Sequence, residues 1–245
     1  MSQFKKKIGF LKSKLIYDLK PFANSRLKQF YSQFVKSGDL CFDVGCHTGN
    51  RSNAWLKLNA KVVAFEPQPY FVLYLQNRFK ANSNFTLINK GVGSKKGEMP
   101  LMISSLYPTI STFSNKWKDI VVSKLPGKVY DENLMVDITT LDEMITTYGM
   151  PRFCKIDVEG HEFEVLKGLT SPIPVLSFEF YSEEKESAMA CLNKVDELGN
   201  YEFNWSVGES LKMQNEDWVS VEELEKNIRA FNESNSGDIY ARIKN

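Results

Sequence analysis

Short apolar runs alternate with segments of helical periodicity along most of this chain. Five runs are apolar enough to predict buried strands, at residues 40–44, 62–66, 85–89, 153–158 and 175–180. Helical spacing predicts helices between them, at residues 52–58, 70–80, 141–148 and 162–167. Nearly continuous apolar strands separated by helices are typical of an α/β fold with a parallel sheet covered on both faces.

The two ends of the chain extend this pattern. A helix is predicted at residues 25–35, and beyond residue 180 we expect a helix at 183–198, a strand at 201–207, a short helix after Ser220 and a last strand at 239–243. A length of 245 residues suits one sizeable α/β domain. We therefore divide the chain into an N-terminal helical extension (1–36) and one domain (37–245).

Residues 91–140, called the insertion below, interrupt the alternation. The stretch 93–97 contains two glycines and predicts a hairpin turn that leads into a strand at 98–103. Residues 104–127 have no strong periodicity. A long irregular segment in a compact domain is usually a lid or a binding loop, and we expect one here.

The first twenty residues form a basic amphipathic pattern. Apolar side chains recur at helical spacing, and lysines occupy the other faces; the apolar positions are Phe4, Ile8, Leu11, Leu15 and Leu19. We expect this stripe to pack on the domain or on a second subunit. The alternative is peripheral membrane contact through residues 1–20, because basic amphipathic helices bind anionic lipid surfaces.

Composition excludes several classes of protein. The 31 basic and 30 acidic residues nearly cancel, so no overall field attracts nucleic acid. No apolar run has the length of a membrane span or the form of a signal-peptide core, so we expect a cytoplasmic protein. The four cysteines form no C-x-x-C pair, which favours free buried thiols; they are Cys41, Cys46, Cys154 and Cys191.

The first candidate site is the glycine-containing turn at residues 43–50, called the first turn. A strand, a glycine turn, a helix start and an acid about 20 residues later describe a nucleoside pocket, and Glu66 supplies that acid. A phosphate-binding G-x-G-x-x-G turn would need glycine where His47 and Asn50 stand. The D-x-G-x-x-x-G pattern instead suits a ligand without a pyrophosphate, such as S-adenosylmethionine.

The second candidate site, at residues 157–162, is called the second turn. Three carboxylates and an imidazole follow the predicted fourth strand there, in the string K-I-D-V-E-G-H-E at 155–162. In an open parallel sheet, ligands bind beyond the carboxyl ends of the strands where the winding direction reverses. If the first and fourth strands are neighbours, the two turns face each other across one crevice.

Together these motifs resemble the FkbM family of methyltransferases. The resemblance spans about residues 38–182, with D-x-G-x-x-x-G at 43–49, A-F-E-P at 64–67, T-L-D at 140–142, K-I-D-V-E-G-H-E at 155–162 and L-K-G at 166–168; G-D-I-Y-A at 237–241 is also similar. The resemblance implies a Rossmann-like class I methyltransferase fold, with a seven-stranded, mostly parallel sheet, helices on both faces and a last strand antiparallel near one edge. It also implies S-adenosylmethionine as the methyl donor and usually a hydroxyl acceptor, often on a sugar or natural product.

The resemblance assigns the cofactor residues. Gly45 and Gly49 would pass beneath the methionine part of the cofactor, Asp43 would help hold its amino group, and Glu66 would accept hydrogen bonds from the ribose. Without a ligand, Asp43 would only cap the following turn and Glu66 would be a solvated acid at a strand end.

Methyl transfer to a hydroxyl requires alignment and a base. His161 is the candidate base because its ordinary pKa lies near neutrality. Asp157 would orient it or act alone, and Glu159 would bind sugar hydroxyls or a metal; the alternative for all three is a cap on the next helix. With Glu179, these side chains offer ligand atoms for a divalent cation, but nothing in the spacing requires one, and we expect no catalytic metal.

We therefore predict a S-adenosylmethionine-dependent O-methyltransferase acting on a sugar, a glycan or a small natural product. Two alternatives are a nicotinamide-dependent oxidoreductase or epimerase on a related sheet, and a non-catalytic nucleoside-binding module. The first of these needs a glycine-rich phosphate turn, which the chain lacks. The second would tolerate replacement of Asp157 and His161.

Overall fold

The computed structural model describes residues 2–17, 23–124, 127, 129–232 and 236–244. Its strands are β1 (Leu40–Val44), β2 (Lys61–Phe65), β3 (Phe85–Ile88), β4 (Gly91–Val92), β5 (Gly97–Ile103), β6 (Glu132–Thr139), β7 (Phe153–Ile156), β8 (Val175–Tyr181), β9 (Tyr201–Val207) and β10 (Ser236–Ile243). Its α-helices are α1 (Ser2–Tyr17), α2 (Ala23–Tyr31), α3 (Asn50–Leu56), α4 (Pro69–Phe79), α5 (Asn115–Lys124), α6 (Leu141–Tyr148), α7 (Glu162–Lys167), α8 (Lys185–Asp196) and α9 (Val221–Ala230).

Seven strands form the main sheet, in the order β3-β2-β1-β7-β8-β10-β9. Strand β1 lies between β2 and β7 and is parallel to both, as predicted for the first and fourth strands of the main alternation. Strand β10 is antiparallel to both of its neighbours, β8 and β9. The predicted mostly parallel sheet, with its last strand antiparallel near one edge, is confirmed.

Helices cover both faces of this sheet. Cys41 of β1 belongs to a core that contains buried residues of α2, α3 and α4. Phe42 and Val44 point the other way, into a core shared with α6, α7 and α8. Alternate residues of one strand thus serve opposite cores, which explains why the strand is apolar throughout. All four cysteines are buried and free, as expected.

The insertion forms a small sheet of its own, in the order β4-β6-β5. The hairpin predicted around residues 93–97 is wrong, because β4 and β5 do not pair with each other. Both pair with β6, which was not predicted; β4 is parallel to it and β5 antiparallel. Residues 104–127 contain a 3-10 turn at Pro108–Ile110 and the helix α5.

The ends of several elements differ from the prediction by a few residues. The helix predicted at 25–35 spans Ala23–Tyr31, and the one predicted at 183–198 spans Lys185–Asp196 after a 3-10 turn. Strand β7 ends at Ile156, so Asp157 begins the loop that follows. The short helix after Ser220 is α9, and Ser220 caps it by accepting the N–H of Glu223.

Helix α1 packs on the domain with a face that was not predicted. Phe4 and Leu11 of the predicted stripe are exposed, whereas Gly9 and Ser13 are buried. The expectation that the apolar stripe covers the domain is therefore wrong for these two residues, and the side chains of Leu15 and Leu19 lie outside the described residues.

The predicted boundary between residues 36 and 37 stays a prediction. Helix α2 and the residues just after it pack on the main sheet, where the ring of Tyr31 lies 5.4 Å from that of Phe153. Within the described ranges, no helix is long and apolar enough to cross a bilayer.

Candidate functional site

The two turns lie in direct contact at the carboxyl ends of β1 and β7. The N–H of Asp157 donates to the carbonyl of Val44 at 2.9 Å. Gly45 has a φ of 80°, and a Cβ built on it would lie 1.9 Å from the carbonyl oxygen of Asp157. Only glycine combines this left-handed backbone with so close an approach. The prediction that the two turns share one crevice is confirmed.

Between the turns lies a cleft of about 990 Å³ that opens to solvent. The first turn, residues 65–68 and the second turn supply most of its walls, and Glu179 and Glu209 add two more carboxylates. The insertion closes another side through residues that include Pro108, Ser111 and Phe113.

Glu66 links the first turn to the end of β2. Its Oε2 accepts the N–H of His47 at 2.9 Å, and its Oε1 accepts the N–H of Gln68 at 2.8 Å. Burial raises the pKa of Glu66 to about 8, although both donors favour the charged form. Glu66 lines the cleft, and each oxygen keeps a lone pair for a further donor.

Asp43 is both a helix-capping residue and a cleft residue. Its Oδ2 accepts the backbone N–H of Ser52 at 3.0 Å and the hydroxyl of Ser52 at 2.5 Å, which anchors the start of α3. Both bonds fall on Oδ2, and Asp43 lines the cleft, so Oδ1 is the atom suited to a ligand. Burial raises the pKa of Asp43, against the hydrogen bonds from Ser52.

The two glycines of the first turn differ in position. Gly45 lines the cleft, whereas Gly49 is not among its lining residues. Gly49 has a φ of 79° and precedes α3, and a Cβ on it would lie 2.8 Å from side-chain atoms of Leu75 and Phe79. Gly49 therefore allows α3 and α4 to approach each other, which shapes the turn from behind.

Three carboxylates of the cleft form an acid cluster, defined as Asp157, Glu159 and Glu179. Each offers an oxygen within 4.8 Å of the other two. Tyr181 bridges two of them, because its hydroxyl lies 2.9 Å from Oε2 of Glu159 and 2.5 Å from Oε2 of Glu179. A hydroxyl carries one proton, so Tyr181 donates to one glutamate at a time.

The members of the acid cluster differ in charge. Burial and the neighbouring charge of Asp157 raise the pKa of both Glu159 and Glu179 well above the usual range, against the hydrogen bond from Tyr181. Burial acts in the same direction on Asp157, but Lys155 and Arg51 outweigh it and lower the pKa of that carboxyl. Asp157 is thus the charged member, and the two glutamates hold protons more readily.

Buried Lys155, partly buried Arg51 and Asp238 surround Asp157. Lys155 is fully buried, pairs with Oδ1 of Asp238, and has its Nζ 3.6 Å from Oδ2 of Asp157. Arg51 lies 3.4 Å from Asp157 and 3.8 Å from Asp238, and also pairs with Glu209. Burial would lower the pKa of Lys155, but the two aspartates raise it, so its charge persists.

The cluster has the donor set for a divalent cation, since carboxylate oxygens suit magnesium or manganese. The positive charges of Lys155 and Arg51 compete with a cation for Asp157. The expectation that catalysis needs no metal stays a prediction.

His161 lies outside the cleft lining. It is 5% exposed, its ring centroid is 5.3 Å from that of Phe113, and its Nε2 has no hydrogen-bond partner among the described residues. Burial lowers the pKa of His161. The described residues show no hydrogen bond from Asp157 to His161, so the expected orienting contact is not formed.

The insertion holds the second turn in place. Glu159 has a φ of 54°, and Thr112 donates its hydroxyl to the carbonyl of Glu159 at 2.6 Å. Trp117 of α5 lies against Gly160 and donates its Nε1–H to Oε2 of Glu159 at 3.3 Å. The ring of Trp117 also packs on Tyr181, with 3.8 Å between centroids.

Several of these residues were not singled out from the sequence. They are Arg51, Trp117, Tyr181, Glu209 and Asp238. Arg51 follows the first turn directly, and Tyr181 stands two residues after Glu179, so their positions gave a usable signal. Trp117, Glu209 and Asp238 reach the site only through tertiary structure.

Residues 43–204 match the methyltransferase FkbM domain family. The chain is 29% identical over 149 residues to the hexuronic acid methyltransferase AglP of Haloferax volcanii, a match that covers 59% of this chain and 55% of that protein. The chain thus spans about half the length of this curated relative.

Solved structures resemble this chain only at low identity. A precorrin-6y C5,15-methyltransferase from Geobacter metallireducens is 10% identical, with a TM-score of 0.48 over 93% of this chain and 90% of that one. A TehB-like SAM-dependent methyltransferase from Corynebacterium glutamicum is also 10% identical, with a TM-score of 0.48 over 99% and 98%. The family match spans more than half of the chain and includes both turns, so this chain belongs to the FkbM methyltransferase family, whose methyl donor is S-adenosylmethionine.

Proposed function

We propose that this methyltransferase transfers the methyl group of S-adenosylmethionine to a hydroxyl of a sugar, in a glycan or a small natural product. The observation that carries the proposal is the pair Glu159 and Glu179, bridged by Tyr181, in the same cleft as Asp43 and Glu66. A hydroxyl acceptor must lose a proton, and a carboxyl with a raised pKa is suited to accept it.

The residues of the first turn fit the cofactor. Gly45 leaves the wall open, Oδ1 of Asp43 can accept a hydrogen bond from the amino group, and Glu66 can accept the ribose hydroxyls. Gly49 does not line the cleft; it supports the first turn by letting α3 lie close to α4. When bound, S-adenosylmethionine supplies a methyl group activated by its positive sulfur.

We assign the role of base to Glu159. Its Oε2 is engaged by Tyr181 and Trp117, which leaves Oε1 for the proton of the acceptor hydroxyl. The hydroxyl of Tyr181 donates to whichever of Glu159 and Glu179 is charged and so stabilises that carboxylate. Asp157 keeps its charge and positions Arg51 at the wall of the cleft.

The position of His161 does not support its expected role as base, since its ring lies behind Phe113 and outside the cleft lining. We propose that His161 begins α7 and packs between the second turn and the insertion.

A sugar acceptor is supported by the relative AglP, which is a hexuronic acid methyltransferase. The polar walls of the cleft offer carboxylate acceptors for several hydroxyl donors, as a carbohydrate requires. Family membership favours methyl transfer over the nicotinamide-dependent alternative. A non-catalytic binding module would have no use for a proton-sharing carboxyl pair.

Transfer can be tested directly with labelled S-adenosylmethionine and a panel of glycosides and uronic acids, with mass spectrometry to locate the methyl group. We expect O-methylated product, and Glu159→Gln should slow transfer about 10²–10⁴-fold while leaving cofactor affinity unchanged. Glu98→Gln replaces an exposed glutamate and serves as the control. Label on nitrogen or carbon, or full activity of Glu159→Gln, would contradict the proposal.

A further inference from the structure

Helix α1 docks on the domain through one face. Gly9 lies so close to the carbonyl oxygen of Ser105 that a Cβ would stand 2.2 Å from it. Phe10 packs its ring 5.1 Å from Tyr74 and 5.8 Å from Phe71, and Ser13 is buried one turn later.

Ion pairs fix the same face. Lys6 pairs with Glu132 at 2.5 Å, and Lys5 lies 3.7 Å from Asp131. These two lysines are therefore engaged by the domain, and their charges are largely balanced.

The opposite face of α1 is apolar and uncovered. Phe4 is 68% exposed and Leu11 is 56% exposed, with Ile8 half-buried between them. Each residue advances about 100° around a helix, so positions 4, 8 and 11 lie on one line, roughly opposite to Gly9 and Ser13. We call Phe4, Ile8 and Leu11 the outer stripe.

Lysines flank the outer stripe on both sides. Lys7 and Lys12 are exposed, and the same helical geometry places one on each side of the stripe. The ammonium of Lys12 lies 4.7 Å from the ring centre of Tyr107, so Lys7 is the cation that has no such contact with the domain among the described residues. Lysine stems can lie along an apolar layer while their ammonium groups reach phosphate oxygens. The outer stripe with its two lysines therefore has the charge and shape of a helix that lies flat on an anionic lipid surface.

We propose that the outer stripe of α1 docks this protein on an anionic membrane surface. Phe4, Ile8 and Leu11 enter the interfacial layer, and Lys7 and Lys12 contact lipid phosphates. The docked face stays on the domain, so attachment needs no unfolding of α1.

A second copy of the chain fits this face less well. A two-fold contact through the outer stripe would bring the lysines of one chain near those of the other, and like charges oppose such an interface. Three apolar side chains also cover far less than the roughly 1,200 Å² that stable interfaces bury.

Vesicle flotation of the full chain tests the proposal. We expect binding to vesicles of phosphatidylcholine with phosphatidylglycerol, weak binding to phosphatidylcholine alone, and release at high salt. Phe4→Ser with Leu11→Ser should lower partitioning about tenfold, and Lys7→Glu should lower it several-fold. The control is Tyr148→Ser with Met150→Ser. These two exposed apolar residues come just before β7, at the amino end of that strand, whereas the cleft lies at its carboxyl end.

Cofactor binding, measured in each preparation, shows that the protein is folded. Folded wild-type protein that does not float with anionic vesicles would overturn the proposal. So would equal loss of partitioning in the control variant. A dimer by light scattering that Phe4→Ser with Leu11→Ser dissociates, without vesicle binding, would assign the stripe to a second copy instead.

Discussion

Glu66 accepts the N–H groups of His47 and Gln68 on its two oxygens, and it also lines the cleft in which we propose that the ribose lies. The same carboxylate thus shapes the first turn and offers acceptors to a ligand. An amide in its place would turn one of these acceptors into a donor that faces a backbone N–H.

Glu66→Gln should therefore weaken S-adenosylmethionine binding about tenfold, the loss typical of one hydrogen bond. Isothermal titration calorimetry measures this change, with Glu98→Gln as the matched control. Affinity equal to that of the wild type would rule out contact between Glu66 and the cofactor.

The glutamates of the acid cluster predict an unusual pH profile. Glu159 must be ionised to accept a proton, and burial and Asp157 raise its pKa well above the usual range. The rate constant kcat/KM should therefore rise with pH through an acid limb well above the usual range for glutamate. The apparent pKa of this limb is a property of the pair Glu159 and Glu179 rather than of one residue.

Tyr181→Phe should move this limb to higher pH. The hydroxyl of Tyr181 stabilises the charged carboxylates, so its removal raises their pKa further. Comparison of pH–rate profiles for the two proteins measures the shift, and Phe in place of Tyr keeps the ring that packs on Trp117. A limb that stays in place, or moves to lower pH, would contradict the assigned base.

At the scale of elements, the contact between the loops after β1 and β7 depends on one missing side chain. Gly45→Ala should lower the free energy of unfolding by about 3 kcal/mol or more, because its Cβ would overlap the carbonyl oxygen of Asp157. Gly38→Ala is the matched control, since Gly38 has a φ of 87° and nothing within 4 Å of the added Cβ.

Urea unfolding of both variants separates the cost of the Cβ overlap from the cost of a left-handed backbone. Gly38→Ala should cost about 1 kcal/mol, which is the cost of a left-handed backbone alone. Equal losses in the two variants would show that the loops can separate without penalty.

The main sheet was predictable because its strands are apolar on both faces and its helices keep a regular spacing. Strand β6 was missed because its exposure alternates but its sequence does not: Leu134, Met135 and Val136 are apolar in a row, and Met135 is exposed. The false hairpin at residues 93–97 has a different cause, since the partner of β5 lies far along the chain, at residues 132–138. Turn chemistry alone does not identify a partner so distant.

At the scale of the whole molecule, the ion pair of Lys155 and Asp238 joins two distant parts of the chain. Lys155 is on β7 and Asp238 is on β10, and β8 lies between these strands. Asp238→Asn should lower the free energy of unfolding by about 3 kcal/mol, since it leaves a buried ammonium with only the more distant Asp157.

Glu202→Gln provides the comparison for this change. It breaks the partly exposed pair of Glu202 and Arg242 on β9 and β10, and should cost about 1 kcal/mol or less. Chemical denaturation measures both, and the double variant Lys155→Met with Asp238→Asn should lose less than the sum of the single changes. Additive losses would show that the two residues do not interact.

The residues assigned to the cofactor were predicted to lie together because they belong to one strand–turn–helix unit and the next strand; Asp43, Gly45 and Glu66 do line one cleft, and Gly49 does not. Of the three catalytic candidates, Asp157 and Glu159 line the cleft and His161 does not. Glu159 and His161 stand two residues apart, but only Glu159 lines the cleft, because the left-handed backbone of Glu159 redirects the chain. Asp238 comes from a strand whose place in the sheet depends on the whole topology.

The placement of β10 also has a consequence for synthesis on the ribosome. This strand is made after β9, yet it lies between β8 and β9, so a nascent chain that ends before residue 236 holds a sheet with a gap. In that state Lys155 lacks Asp238 and has only the more distant Asp157 to balance its charge. We therefore expect the wall of the cleft to be complete only when the last strand is inserted.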